Sequence, residues 1–305
     1  MTASQIPFKE GEAHLDWHGL IDAIKKGHKR PKAEIGDTFL YRDPDTLLSR
    51  SAFIDGLGIA VKSATVFPQN PHRGKPMING AVSLFSDEDG TLQALIDFHL
   101  VTKWKTAGDS LLAASLLARS DSKLILIVGA GTVGRSLREA YGAFFPEAKF
   151  KIWNRTRETA EAMALNDPRM EVAESLQDAV EAADIISSAT MSTEPLIKGA
   201  WLRSGQHVDL IGAYRPDMRE VDDAALGRGS IFVDSFDTTL DHIGEIKLPL
   251  EKGAISRADI IADYYDMGAF QRRLNDEITL FKNGGGAHLD LMVSKFILDR
   301  WNGKP

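Results

Sequence analysis

The most restrictive feature of the chain is a glycine pattern that joins a strand to a helix. Residues 123–128, KLILIV, form an apolar run typical of a strand buried on both faces, and Gly129, Gly131 and Gly134 follow it as G-x-G-x-x-G. Apolar residues then recur at helical spacing over residues 133–144. The first glycine permits a tight turn, the second lets a pyrophosphate approach the backbone, and the third lets helix and strand pack closely. The pattern predicts a Rossmann-type nucleotide-binding domain.

Strands and helices continue to alternate beyond this motif. Further strands are predicted at residues 150–153, 184–188, 207–211 and 231–233, with helices that open at Thr156 and Ser175. Such alternation is typical of right-handed crossovers in an open parallel sheet, so the fold class is α/β. We expect this domain to cover residues 119–282.

The flanking segments predict a smaller α+β domain. Residues 80–85 and 91–96 read as an antiparallel hairpin around an Asp-Glu-Asp-Gly turn, and a helix follows over 99–119. A last helix, over 289–301, places its apolar residues near one face. We expect it to return to the first domain, which then comprises residues 1–118 and 283–305.

Composition narrows the class of partner. The net charge is −7 and no Lys/Arg run is dense, so nucleic acid is not an expected partner. The chain has no cysteine, which excludes disulfides and thiolate chemistry. Its start lacks a signal-peptide pattern and its longest apolar run, 111–118, is too short for a membrane, so a cytoplasmic protein is expected. His14 and His18 have helical i,i+4 spacing but no third ligand, so no metal site is expected.

The end of the second Rossmann strand indicates which nicotinamide cofactor binds. NAD enzymes usually carry Asp or Glu there for the ribose 2′-hydroxyl, whereas this chain has Asn154, Arg155 and Thr156. Arg155 can bind a 2′-phosphate, so NADPH is favoured and NADH is possible but less favoured. The alternative is that Arg155 is a solvated surface residue and Thr156 a helix cap.

Other cofactor contacts are expected where a further strand ends, because ligands lie outside strand C-termini in such sheets. An ordinary strand-to-loop transition explains the small residues there equally well. The full set of predicted cofactor-binding residues is Gly129, Ala130, Gly131, Thr132, Val133, Gly134, Asn154, Arg155, Thr156, Ser188, Ala189, Thr190, Met191 and Gly285.

Several short segments between residues 62 and 290 occur in an order and spacing that are specific when taken together. They are Lys62 ahead of Pro68-Gln-Asn, Val101-Thr-Lys-Trp-Lys-Thr-Ala107, Gly129-Ala-Gly131, Ile152-Trp-Asn-Arg-Thr156, Ser188-Ala-Thr-Met-Ser-Thr-Glu-Pro195, Gly212-Ala-Tyr-Arg-Pro-Asp217 and Gly285-Gly-Ala-His-Leu-Asp290. In these segments the chain resembles the ornithine cyclodeaminase/mu-crystallin family. The resemblance implies a homodimer, an N-terminal substrate and dimerisation domain completed by the C-terminal helix, and hydride chemistry on amino or imino acids.

The resemblance also implies which side chains hold a substrate carboxylate. By position these are Lys62 and Lys105, which would otherwise be read as solvated lysines. Thr106, next to Lys105, either hydrogen-bonds phosphate or substrate or serves only in helix packing. Lys105 replaces the arginine usual in the family, which exchanges a planar fork for a compact charge. The family's second arginine, upstream of the lysine, has no clean counterpart, and Arg30 and Lys32 are the candidates.

One departure from the family bears on the reaction. Cyclodeaminases carry an aspartate soon after the late Gly-Ala or Gly-Gly pair, and this chain has Tyr214 there. The loss of that carboxylate favours reduction of Δ1-pyrroline-2-carboxylate to L-proline, or of Δ1-piperideine-2-carboxylate to L-pipecolate, with NADPH. Tyr214 is either a proton donor or a buried structural hydroxyl, and Asp290 either orients the site or caps a helix. An ornithine cyclodeaminase, an alanine-type dehydrogenase and a non-catalytic NADPH binder stay open as alternatives.

Overall fold

The computed structural model describes residues 3–304, which form two compact units. The first contains the described residues up to Lys105 and those from Gly285 onward, and the second contains Thr106–Gly284. The strands are β1 (Ser4–Ile6), β2 (Glu34–Arg42), β3 (Asp45–Ile54), β4 (Gly58–Val66), β5 (Ile78–Phe85), β6 (Leu92–Asp97), β7 (Leu124–Val128), β8 (Lys149–Trp153), β9 (Met170–Val172), β10 (Ile185–Ser188), β11 (His207–Leu210), β12 (Ser230–Val233), β13 (Ile260–Ala262) and β14 (Thr279–Lys282). The helices are α1 (Phe8–Glu12), α2 (Trp17–Gly27), α3 (Phe98–Leu117), α4 (Thr132–Phe144), α5 (Arg157–Ala164), α6 (Leu176–Ala182), α7 (Asp223–Arg228), α8 (Phe236–Thr239), α9 (Gly244–Lys252) and α10 (Ala287–Trp301).

The second unit is built on an eight-stranded parallel sheet. Its order is β13-β12-β14-β11-β10-β7-β8-β9, so the strand that ends in the glycine motif lies near the centre. Ile125 to Val128 are fully buried, as expected of a strand covered on both faces. The predicted α/β class, the glycine-motif strand and the helix after it are therefore confirmed.

The first unit contains a six-stranded sheet in the order β1-β6-β5-β4-β3-β2. The pairs from β2 to β6 are antiparallel, and β1 runs parallel to β6. The predicted hairpin is β5 with β6, whose register pairs Val82 with Ile96. Helix α10 packs on β3 and β4 within this unit and is buried on nearly all sides.

The observed boundaries differ in place from the predicted ones. The division after Lys105 falls inside α3, whereas the sequence placed it after that helix, at residue 118. Periodicity marks where a helix begins and ends, but it does not report where along its length the packing partner changes. Within residues 3–304 no helix is long and apolar enough to cross a membrane.

Candidate active site

Two lysines and one aspartate form a buried cluster in the first unit. Lys62 on β4 and Lys105 on α3 place their Nζ atoms 3.0 and 2.9 Å from the same oxygen, Oδ1 of Asp290 on α10. Lys62 alternates inward with Ala60 and Ala64, so the lysine faces the interior of the unit and not solvent. The structure thus brings together the two lysines that the resemblance singled out.

Arg50 is the third cation of this cluster, and the sequence reasoning missed it. The sheet register pairs Arg50 on β3 directly with Lys62, and its Nη1 donates to the carbonyl of Gly285 at 3.0 Å. The candidates offered for the upstream arginine, Arg30 and Lys32, are both exposed. The missing signal was strand pairing, because side chains of directly paired residues lie on one face of a sheet. We refer to Arg50, Lys62, Lys105 and Asp290 as the cation cluster.

The surroundings of the cation cluster shift the pKa values of Lys105 and Asp290. Burial lowers the pKa of Lys105 to about 8, and the nearby charges of Lys62 and Arg50 act in the same direction, while Asp290 opposes them. For Asp290, burial by itself raises the pKa, but the positive charges of Lys105, Lys62 and Arg50 outweigh it and the pKa ends below its ordinary value. Asp290 is therefore a carboxylate at neutral pH.

Asp290 acts as an ion-pair partner and not as a helix cap. The N-cap position of α10 is Gly286, and no side chain caps that end. The second carboxylate oxygen of Asp290, Oδ2, is buried and has no hydrogen-bond partner among residues 3–304. The carbonyl of Gly285, a residue with φ of +63°, accepts from both Arg50 and Lys105. The sequence assigned Gly285 to the cofactor, and the structure places its carbonyl in the cation cluster.

The glycine motif has the geometry that a dinucleotide requires. Gly129 has φ of +110°, and a Cβ there would lie 2.6 Å from the carbonyl oxygen of Ala189. A Cβ on Gly134 would lie 2.1 Å from the carbonyl oxygen of Gly129, so helix and strand approach too closely for any other residue. A Cβ on Gly131 would meet no described atom within 4 Å, which leaves open space beside the start of α4. These residues fit a bound pyrophosphate, which helix N–H groups would hold from Thr132 onward.

Asn154 supports the glycine turn from the next strand. Its Oδ1 accepts from the backbone N–H of Ala130 at 3.1 Å, and its Nδ2 donates to the carbonyl of Thr156 at 2.8 Å. Thr156 occupies the N-cap position of α5, but its hydroxyl makes no capping hydrogen bond. Arg155 is exposed and pairs with no residue in 3–304, whereas Arg157 is bound by Glu161 and Glu174. Arg155 is therefore the cation left available for a phosphate at this strand end.

Glu220 ties together the loops that follow β10 and β11. Its Oε1 accepts from the hydroxyl of Ser188 at 2.6 Å and from the N–H and hydroxyl of Thr190, both at 2.8 Å, while Oε2 accepts from the N–H of Gly212 at 2.6 Å. The sequence analysis missed Glu220, because its partners are remote in sequence. The predicted cofactor residues Ser188 and Thr190 are thus held by this carboxylate.

A second buried glutamate lies under the first. Glu245 accepts from the backbone N–H of Glu220 at 2.6 Å and of Val221 at 3.1 Å. Burial, followed by the charge of Glu220, raises the pKa of Glu245 to about 7. Burial also raises the pKa of Glu220, and the positive charge of buried Lys282 counteracts it. The loop after β10 therefore rests on an interior network of charges.

The remaining predicted residues are not buried in these networks. Tyr214 is 57% exposed, with the Arg215 guanidinium 5.7 Å from its ring centre, so the alternative of a buried structural hydroxyl is wrong. Met191 is 67% exposed and Ala189 is half-buried. The carbonyl of Thr106 accepts from the Asn283 amide at 3.1 Å.

Across the described 3–304 range, no group of three or more His, Asp or Glu side chains is placed to bind a metal.

Comparison with known proteins places these observations in a family. The sequence model of the ornithine cyclodeaminase/mu-crystallin family matches residues 53–305. The chain is 48% identical to the Δ1-pyrroline-2-carboxylate reductase of Paracoccus denitrificans over 96% of its own length and 95% of the relative's. It is 33% identical to the ketimine reductase mu-crystallin of Mus musculus over 80% and 76% of the two chains.

Solved structures with the same fold cover nearly the whole chain. One is the Thermococcus litoralis Δ1-pyrroline-2-carboxylate reductase in complex with NADH and L-proline, with a TM-score of 0.89, 25% identity and 98% coverage of both chains. Another is an archaeal alanine dehydrogenase, with a TM-score of 0.90, 24% identity and coverage of 99% and 97%. The second likeness concerns the fold alone.

Proposed function

Because the chain belongs to the ornithine cyclodeaminase/mu-crystallin family, we propose that it reduces the C=N bond of Δ1-pyrroline-2-carboxylate to give L-proline, with NADPH as reductant. The six-membered homologue, Δ1-piperideine-2-carboxylate, is the second substrate of the same class and gives L-pipecolate. The proposal is supported by the activity named for the Paracoccus denitrificans relative and by the ligands named in the Thermococcus litoralis structure. We expect the reaction in the cytoplasm.

The cation cluster is the observation that carries the proposal. Arg50, Lys62 and Lys105 supply three cations, while Asp290, together with Asp37, which lies 2.7 Å from Arg50, supplies two carboxylates. Three cations against two anions leave one positive charge, which suits one substrate carboxylate. A carboxylate taken out of water needs such a partner, because an unpaired buried charge is costly.

The glycine turn and Arg155 support the cofactor part of the proposal. The residues from Gly129 to Gly134 fit a pyrophosphate, and residues 154–156 contain no acidic side chain that would repel a 2′-phosphate, while Arg155 can bind one. When bound, the reduced nicotinamide supplies the hydride, so the protein itself has to orient the imino acid and neutralise its carboxylate. Lys62 and Arg50 would hold that carboxylate, and Lys105 lies beside them in the cation cluster.

A homodimer is also part of the proposal, and it is supported by one face of the six-stranded sheet. Leu40, Leu47, Phe53, Leu92 and Leu95 are each between 37% and 62% exposed. The register places all five on the face opposite Arg50 and Lys62. A set of large apolar side chains this exposed on one sheet face is typical of an interface. Light scattering should give twice the chain mass of 33.5 kDa, and Leu40→Glu with Leu95→Glu should shift it toward one chain.

The experiment is a panel assay of NADPH consumption with the five- and six-membered cyclic imino acids. Lys62→Ala and Lys105→Ala should lose turnover, while Arg155→Ala should mainly raise the KM for NADPH. Lys295→Ala, at a half-buried residue of α10 paired with Asp299, is the matched control and should behave as wild type. NADP⁺-dependent turnover of ornithine or alanine without imine reduction, or tight NADPH binding with no turnover, would contradict the proposal.

A further inference from the structure

The two lysines of the cation cluster differ in what surrounds their ammonium groups. Lys62 Nζ lies 3.0 Å from Asp290 Oδ1, 2.9 Å from Thr102 Oγ1 and 4.6 Å from the ring centre of Phe98. The aromatic face and the two acceptors surround its ammonium group. Lys62 is therefore held in a fixed position.

Lys105 has a different environment. Its Nζ lies 2.9 Å from Asp290 Oδ1 and 3.0 Å from the carbonyl of Gly285, and its third N–H has no acceptor among residues 3–304. The residue is 4% exposed, so that N–H is not simply solvated. An ammonium has three donors, and one of them is left for a ligand atom.

The charged groups that face Lys105 come from three elements. Asp290 on α10 stabilises its proton, whereas Lys62 on β4 and Arg50 on β3 repel it. Burial has the largest effect, and the pKa of Lys105 falls to about 8 as a result. Lys105 is consequently protonated at neutral pH and can release that proton. An arginine in its place would keep its proton at any working pH.

On the basis of the proposed reduction, we infer that Lys105 donates the proton taken up by the imine nitrogen, while Lys62 and Arg50 hold the substrate carboxylate. An N–H bond of the Lys105 ammonium breaks as the N–H bond of the iminium forms. The hydride then adds to the iminium carbon, and the electron pair of the C=N π bond moves onto nitrogen. Lys105 regains its proton from water, which balances the reaction.

The first test is Lys105→Arg, which keeps the positive charge and removes the labile proton. We expect kcat for imine reduction to fall at least about 100-fold at pH 7, because general acid catalysis contributes this much. The alkaline fall of the wild-type kcat/KM profile should be absent in the variant. Lys103→Arg, two residues away and paired with Glu12, is the matched control and should keep the wild-type profile. Equal kcat and an unchanged alkaline limb in Lys105→Arg would overturn the inference, since the limb would then belong to the substrate.

A binding measurement separates proton donation from carboxylate binding. Calorimetry with pyrrole-2-carboxylate, a flat carboxylate without an imine, should give Kd values for Lys105→Arg and wild type within about threefold, because the charge is retained. A loss of analogue binding as large as the loss of kcat would overturn the inference, because Lys105 would then act through the carboxylate.

The second variant is Lys105→Ala, in case arginine does not fit the buried space. Ethylammonium carries a transferable proton and should restore kcat at least tenfold, whereas tetramethylammonium carries only charge and should not. Equal rescue by both ions, or rescue by neither, would overturn the inference. Failure of the proposed function itself is distinguishable, because the wild-type protein would then consume no NADPH with any cyclic imino acid.

Discussion

Replacing Asp290 by asparagine should destabilise the first unit in a pH-dependent way. The carboxylate is 2% exposed and its Oδ1 lies 3.0 and 2.9 Å from two ammonium nitrogens. Removing one partner of a buried ion pair usually costs about 3–5 kcal/mol. The cost here is limited, because Lys105, with its pKa near 8, can lose its proton when Asp290 is gone. Deprotonation of Lys105 at pH 7, one unit below its pKa, costs about 1.4 kcal/mol, and Lys62 loses its ion-pair partner as well, so we expect a net loss of roughly 2–3 kcal/mol.

The pH dependence follows from Lys105. Its folded pKa lies below its unfolded value of 10.5, so the native state binds fewer protons and stability rises with pH between the two values. In the wild type this rise begins near pH 8. In Asp290→Asn the rise begins at a lower pH, because the negative charge of Asp290 that stabilises the proton of Lys105 is lost. Between pH 6 and 8 the free energy of unfolding of the variant should therefore approach that of the wild type, by up to about 1.4 kcal/mol per pH unit.

The assay is denaturant unfolding at fixed protein concentration, followed by tryptophan fluorescence. Trp17 and Trp104, whose rings stack at 4.0 Å, report on the first unit. Asp299→Asn on the same helix is the control, because that carboxylate is 30% exposed and should change stability by less than about 1 kcal/mol. A variant at position 290 within about 0.5 kcal/mol of wild type at every pH from 6 to 8 would refute this reasoning.

Three further variants test the second unit. Arg155→Ala should raise the KM for NADPH about tenfold or more and leave the KM for NADH nearly unchanged, with Arg157→Ala, already paired with two glutamates, as a control without that selectivity. Glu220→Gln should raise the KM for the nicotinamide cofactor, since the oxygens of Glu220 hold the loops after β10 and β11. An unchanged KM together with a lower Tm would contradict this role. Gly134→Ala should abolish cofactor binding or folding, because its Cβ would clash with the Gly129 carbonyl, whereas Gly131→Ala should fold and lose only cofactor affinity, as dye-monitored melting and cofactor fluorescence would reveal.

Local patterns account for what the sequence predicted well. The strand that ends in Gly129, the helix after it and the hairpin of β5 and β6 each follow from periodicity and turn residues within a short window. Strand β2 was missed because all of its residues are exposed, so no alternation of apolar residues marks it. Strands β9 and β13 have three residues each, too few to establish a period.

The residues of the candidate site also fall into those that a local sequence pattern predicts and those that it does not. The glycine turn could be read from sequence because its geometry is local, and Lys62 and Lys105 were found through motif resemblance. Arg50 was missed because its place depends on the register of β3 against β4, and a one-residue shift would move it to the other face. Glu220 was missed because the groups that donate hydrogen bonds to it, in Thr190 and Gly212, follow two different strands. The positions of Arg50 and Glu220 depend on contacts between residues distant in sequence, which a local pattern does not report.

Transfer of deuterium is the most direct measurement of the central claim, that the chain delivers a nicotinamide hydride to a cyclic imino acid. NADPH carrying deuterium at both C4 positions of the nicotinamide would be incubated with Δ1-pyrroline-2-carboxylate, and the product analysed by mass spectrometry and NMR. We expect L-proline with one deuterium at the α-carbon and none elsewhere. Unlabelled proline, or no consumption of either compound by the wild-type protein, would contradict the claim.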